Sequence, residues 1–202
     1  MIGALGISLV VLSIAGPAPL EPGPDTVPPL ARATEALEGQ DPREARGDLL
    51  DAVAELSGER ETELLALVSL LDRVEAPADR VAARAFLALE RGEAREALRI
   101  VEEGLPEARE EDRAPLLALA ARAGTRVDPE RALEFRIRLV EDHPESLEAP
   151  EALLTVARAT ARDPERVEEA VEMLETFIVE RPNHPVTPEA RRERDRLRER
   201  IP

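Results

Sequence analysis

Side chains able to move protons, hold metals or attack electrophiles are few in this sequence. His143 and His184 are its only histidines. Each is competent as a metal ligand or as a proton carrier near neutral pH. Both sit beside prolines, in His143-Pro144 and His184-Pro185, and no second imidazole keeps ligand spacing with either. A solvated turn residue is the expected role. Acids adjoin one another at Glu102-Glu103 and Glu110-Glu111-Asp112. Carboxylate chemistry or calcium would use such groups, but neighbouring acids on a polar stretch read as a solvated face. The chain has no cysteine, which removes disulfides, thiolate nucleophiles and cysteine-held zinc or iron–sulfur groups. No G-x-S-x-G, H-E-x-x-H, Walker loop or G-x-G-x-x-G occurs. The expectation is a protein without catalytic residues, cofactor or metal.

Composition narrows the class. The chain has 202 residues, 43 acidic against 27 basic, for a formal charge of −16. Lysine is absent, so every cation is arginine. Such a balance argues against nucleic-acid binding, which draws its affinity from clustered cations. With 43% hydrophobic residues but only three phenylalanines and no tryptophan or tyrosine, the core must be aliphatic.

Residues 1–15 read as a signal peptide or membrane tether. Ile2 to Ala15 is uncharged and almost wholly apolar. As a helix it would rise about 21 Å, short of a hydrocarbon core of roughly 30 Å. Ser13-Ile14-Ala15 offers the small residues a signal peptidase needs, although no cation precedes Arg32. Residues 16–29 hold six prolines and two glycines and read as an extended linker. An exported, periplasmic or cell-envelope location is expected, with the amino-terminal segment as the route to any membrane association.

From Pro29 onward the apolar residues keep helical spacing. Val167, Ala170, Val171, Leu174, Phe177 and Ile178 make one stripe; Leu64, Leu67, Val68, Leu71 and Val74 make another. Ala94, Ala97, Leu98, Val101 and Leu105 form a third, and Ala45, Leu49, Ala52, Val53 and Leu56 a fourth. Asp41-Pro42, Asp128-Pro129 and Asp163-Pro164 each put an N-cap carboxylate before a first-turn proline. The pattern predicts helices near 29–38, 42–56, 60–74, 78–91, 93–104, 111–123, 128–142, 148–162, 164–181 and 187–200. The chain is all-α.

A repeat runs through these helices. Pro106, Pro144 and Pro182 are evenly spaced along the chain. Ala94, Ala132 and Ala170 keep the same interval, and so do Ala114, Ala152 and Ala190. An early alanine in the second helix of a pair admits its partner closely, and the later proline stops that helix. This pattern resembles the tetratricopeptide repeat family, whose usual unit is about 34 residues, shorter than the interval here. The longer period, with Pro144, Ser146, Ala149 and Ala152 in a Pro-x-Ser-x-x-Ala-x-x-Ala turn, resembles the variant of bacterial cell-envelope proteins, such as an outer-membrane assembly lipoprotein. The resemblance implies a right-handed superhelix of stacked antiparallel helix pairs, an α-solenoid, over residues 30–202. The repeats are best marked over 78–186, residues 187–200 form a capping helix, and 60–74 stands as an extra helix.

The resemblance also implies a non-enzymatic scaffold binding protein partners in the cell envelope, here as a monomer. A membrane-tethered regulatory or accessory protein is the alternative, and an enzyme's accessory domain a third. Some relatives of that family hold a terminal carboxylate with lysines and asparagines; without lysine, and with Asn183 alone in a turn, this chain lacks that mode. The candidate partner groove comprises Ala83, Phe86, Ala121, Arg158 and Ala159, smooth enough for an apolar peptide. Arg191, Arg192, Arg194 and Arg198 form a candidate basic contact helix, unless that helix serves only to cap the stack.

Overall fold

Glutamate, arginine, leucine and alanine, all favourable in helices, fold this chain into ten α-helices among the described residues. The computed structural model describes residues 29–39 and 41–201. The helices are α1 (Pro29–Gly39), α2 (Arg46–Glu55), α3 (Glu59–Leu71), α4 (Ala78–Glu90) and α5 (Ala94–Gly104). They continue with α6 (Glu110–Val127), α7 (Pro129–Asp142), α8 (Ala149–Thr160), α9 (Val167–Glu180) and α10 (Thr187–Arg198). No strand occurs among the described residues. Each helix packs on the next in sequence, and α4 also touches α6 and α1. The segment 1–15 and the linker up to residue 28 lie outside the described residues, and Pro29 begins α1. No helix among the described residues is long and apolar enough to cross a membrane.

Four boundaries differ from the expected ones by three residues or more; one is the end of α3, which stops at Leu71, short of residue 74. Asp128 caps α7 as predicted, its side chain accepting from the Arg131 N–H at 3.0 Å. Asp163 instead opens a short 3₁₀ turn, Pro164–Arg166, accepting from the Glu165 N–H at 2.9 Å, so α9 begins at Val167. Asp41 likewise accepts from the Arg43 N–H at 3.1 Å, and α2 starts only at Arg46. Helix α6 runs on past Gly124 to Val127. That glycine does not stop the helix; it lets α7 approach, since a Cβ there would lie 3.1 Å from the Ala132 Cβ.

The register of the prolines is visible in the helix ends. Helices α9 and α10 begin and end in step with α7 and α8, one repeat further along. Helix α5 stops in the same step before α7, at Gly104. Turn hydrogen bonds keep it too. Ser146 N–H donates to His143 O at 3.0 Å, and His184 N–H to Arg181 O at 3.2 Å. Pro106, Pro144 and Pro182 are each exposed two residues past a helix end. Ala132 and Ala170 are wholly buried, as a close contact requires. Ala94 departs from its expected place. It is half-buried at the start of α5, and Ala97 takes the fully buried position. The cause is local: Gly92 (φ +75°) turns the chain tightly after α4, so α5 begins later than the register of α7 and α9 sets.

The buried apolar residues form two clusters that part company within α8. One runs from Ala36 to Ala152, the other from Leu154 to Leu197. Leu49, Leu64, Leu116, Leu117, Phe135, Leu139 and Leu174 are fully buried. Each contributes about 1.5–3 kcal/mol relative to exposure. Helix α3, outside the repeat, reaches distant parts of the chain. Arg122 of α6 donates to Glu63 at 2.6 Å, and Arg73, after α3, donates to Glu148, before α8, at 2.5 Å.

Candidate functional site

The five residues of the predicted groove do not share one surface. Ala83, Phe86 and Ala121 are buried at 2%, 5% and 3% exposure. Ala83 lies on a cavity with Leu37 and Pro42, Ala121 on a different one with Leu119 and Arg136. Ala159 is half-buried. Arg158 is exposed but engaged, with Nη2 on Glu189 at 2.8 Å and Nε on Glu193 at 3.2 Å. Those bonds fasten α8 to α10 and raise the Arg158 pKa.

Of the predicted basic helix, two cations are engaged within the fold. Arg194 donates to Asp195 at 2.6 Å, and Arg198 pairs with Glu175 of α9. Arg191 and Arg192 are exposed, and the charge of Arg192 helps to lower the Glu189 pKa, after the Arg158 hydrogen bond. Helix α10 packs on α9 and buries Thr187, Ala190, Glu193 and Leu197.

Neither histidine is freely solvated. His143 is half-buried with Nδ1 3.8 Å from a Glu110 carboxylate oxygen. His184 meets the Phe177 ring edge-on at 5.7 Å, and its Nδ1 accepts the Val186 N–H at 3.2 Å. No cluster of three histidine, aspartate or glutamate side chains among the described residues is placed to hold a metal ion. Where carboxylate titration is displaced, at Asp41, Asp72, Glu96, Glu169 and Glu189, it is lowered, mainly by hydrogen bonds. For Asp41 the first donor is the Arg43 backbone; for the others it is an arginine side chain.

The open spaces follow the repeat. A groove of about 390 Å³ beside α7, α8 and α9 is floored by Val140, Leu153, Met173 and Phe177. An equivalent of about 260 Å³ lies one repeat earlier. Positions 102, 106, 131, 135 and 138 line the earlier groove, and 140, 144, 169, 173 and 176 line the later. Their charges differ: Arg113, Arg131 and Arg138 with Glu102 border the earlier, Glu145, Glu169, Glu172 and Glu180 with Arg181 the later.

The largest of these spaces, about 590 Å³, does not follow the repeat, because α3 forms one wall. Leu70 of α3, Ala118 and Leu119 of α6, Leu139 of α7 and Ala152 of α8 give it an apolar lining. Leu147 stands at its edge, 73% exposed. Arg73 and Arg122, whose ion pairs hold α3 in place, border it, and so does Arg136. Neither this cavity nor the placement of Leu147 and Arg136 at it follows from helical spacing alone. No family model, curated protein or solved structure matches the chain.

Proposed function

We propose that this chain is a non-enzymatic helical-repeat scaffold that binds protein partners in the bacterial cell envelope. The observation that carries the reading is the shared register of α7–α8 and α9–α10, with solvent-facing grooves recurring at the same step. Antiparallel pairs stacked at a fixed step bury one continuous core and leave an extended surface. The stack in this reading is a right-handed superhelix of the tetratricopeptide type, closed at its end by α10. Grooves of a few hundred cubic ångströms with apolar floors and charged rims suit segments of another protein. The envelope assignment rests on the apolar Ile2–Ala15 and the proline-rich stretch after it.

The test is site-specific cross-linking in cells. A photoreactive residue replaces Leu147, at the edge of the largest cavity, in one strain and exposed Leu50 in another. The scaffold reading predicts a saturable protein adduct from Leu147 in the envelope fraction and none from Leu50. Adducts from neither position, or a chain found only in the cytoplasm, contradict it.

A further inference from the structure

Two features of this molecule depart from its own repeat, and both border the same cavity. The first is α3, which has no counterpart in the repeating unit and forms one wall. The second is Arg136. Leu98 stands at its position one repeat earlier and Leu174 one repeat later, exposed by only 8% and 0%. The middle copy puts a guanidinium where its neighbours bury leucine.

That guanidinium is only partly satisfied. Its Nη2 donates to Thr125 Oγ1 at 2.8 Å and, at the longer distance of 3.4 Å, to Ala121 O. Both acceptors are neutral, and among the described residues no carboxylate pairs with Arg136. Burial pushes its pKa down, whereas Arg46, Arg99, Arg109, Arg131, Arg158 and Arg166 are raised by carboxylate partners. An arginine offers five donors in a planar fork suited to a carboxylate, and here one nitrogen is engaged.

The surroundings narrow what fits. Arg73 and Arg122 are paired with Glu148 and Glu63. Among the described residues, Arg136 is thus the cation at this cavity left for an incoming group. Leu70, Leu119 and Leu139 line the space, and Leu147 extends it outward. Glu151, exposed at the cavity and without an ion pair among the described residues, repels a second acid. We propose that the cavity between α3, α6, α7 and α8 receives an apolar segment of a partner protein bearing one internal aspartate or glutamate, whose carboxylate docks on Arg136. This rests on the scaffold reading and names the chemistry of its contact. At about 590 Å³ the cavity is of ordinary ligand-pocket size.

The chain contains no tryptophan or tyrosine, so a tryptophan in a probe peptide reports binding against a dark background. Two blocked tetrapeptides serve, acetyl-leucyl-tryptophyl-glutamyl-leucine amide and its glutaminyl counterpart, titrated by fluorescence anisotropy into the full chain. The glutamyl probe is expected to bind about tenfold more tightly, the weight of a charge-assisted hydrogen bond. Arg136→Leu restores the residue of the other two copies. It is expected to keep the helical spectrum and melting temperature while erasing that preference. Equal affinity for the two probes, a preference that survives Arg136→Leu, or no binding overturns the proposal. So does dodecanoate binding more tightly than the glutamyl probe, which would assign the cavity to a lipid. A Leu147 adduct in cells together with equal probe affinities leaves the scaffold standing and removes only the role of Arg136.

Discussion

Arg73 donates to Glu148 Oε1 at 2.5 Å across 75 residues of sequence. The bond ties the helix outside the repeat to the turn that opens α8. Only 14% of the Glu148 side chain is exposed, and its second oxygen, Oε2, is buried without a partner among the described residues. Arg73→Ala therefore leaves a largely buried carboxylate without its cation and is expected to cost about 1–3 kcal/mol. The Arg122–Glu63 pair is more open, with side chains 47% and 28% exposed. Arg122→Ala is expected to cost under about 1 kcal/mol. Urea denaturation of the two variants checks the order, and the reverse order contradicts it.

Glycine does opposite work at two sites. A Cβ at Gly104 would meet Val81 Cγ2 at 2.5 Å, and β-branched valine cannot swing aside. Gly104→Ala should destabilise by about 1–3 kcal/mol. Gly47, inside α2, has nothing within 4 Å of where a Cβ would stand. Gly47→Ala should raise stability by up to about 1 kcal/mol. Thermal melts that shift in the same direction for both changes refute this account of the α4–α5 contact.

Asp112 is fully buried at the start of α6. Arg109 grips it with Nε at 2.7 Å and Nη2 at 3.0 Å, and the Glu75 N–H donates to it at 3.3 Å. Asp112→Ala leaves these donors without an acceptor and should cost about 1.5–3 kcal/mol. The exposed neighbour Glu111, replaced by alanine, should change stability by less than about 0.5 kcal/mol. Equal midpoints for the two variants in denaturant contradict this.

Acid weakens the surface pairs in a definite direction. Hydrogen bonds from Arg46 at 2.6 and 2.9 Å hold Asp72 below the usual carboxylate range. A folded pKa below the unfolded one gives stability that is present above the unfolded value and lost as pH falls through the folded one. The Asp72 carboxyl carbon should therefore titrate at lower pH in the folded chain than in urea. Arg46→Ala should move its NMR midpoint upward; an unmoved midpoint removes the pair from the account.

Much of the fold was legible in the sequence because it is local. Helical spacing located the ten helices, Asp128-Pro129 alone of the three Asp-Pro pairs marked a helix start, and the even step of the prolines matches the ends of α5, α7 and α9. The late starts of α2 and α9 have a local cause, the turns in which Asp41 and Asp163 accept the N–H of a residue two further on. The site was less legible because neighbours decide it. Ala83 and Ala121 lie on helical faces as expected, but tertiary packing buries them. The wall that α3 contributes depends on Arg73 and Arg122 finding acids 75 and 59 residues away, which spacing does not encode. Arg136 did leave a signal, an arginine in register with Leu98 and Leu174. It shows only when the repeat is laid over itself one position at a time.

The central claim is that successive helix pairs occupy equivalent places in one stack. The absence of cysteine allows spin labels to be placed freely. Labels on cysteines replacing Pro106, Pro144 and Pro182 in pairs give three distances by electron paramagnetic resonance. Equivalent stacking predicts matching distances for the first and second pairs of neighbours, and a longer one between the outer two. Unequal neighbour distances, or outer labels closer than neighbours, contradict the stack.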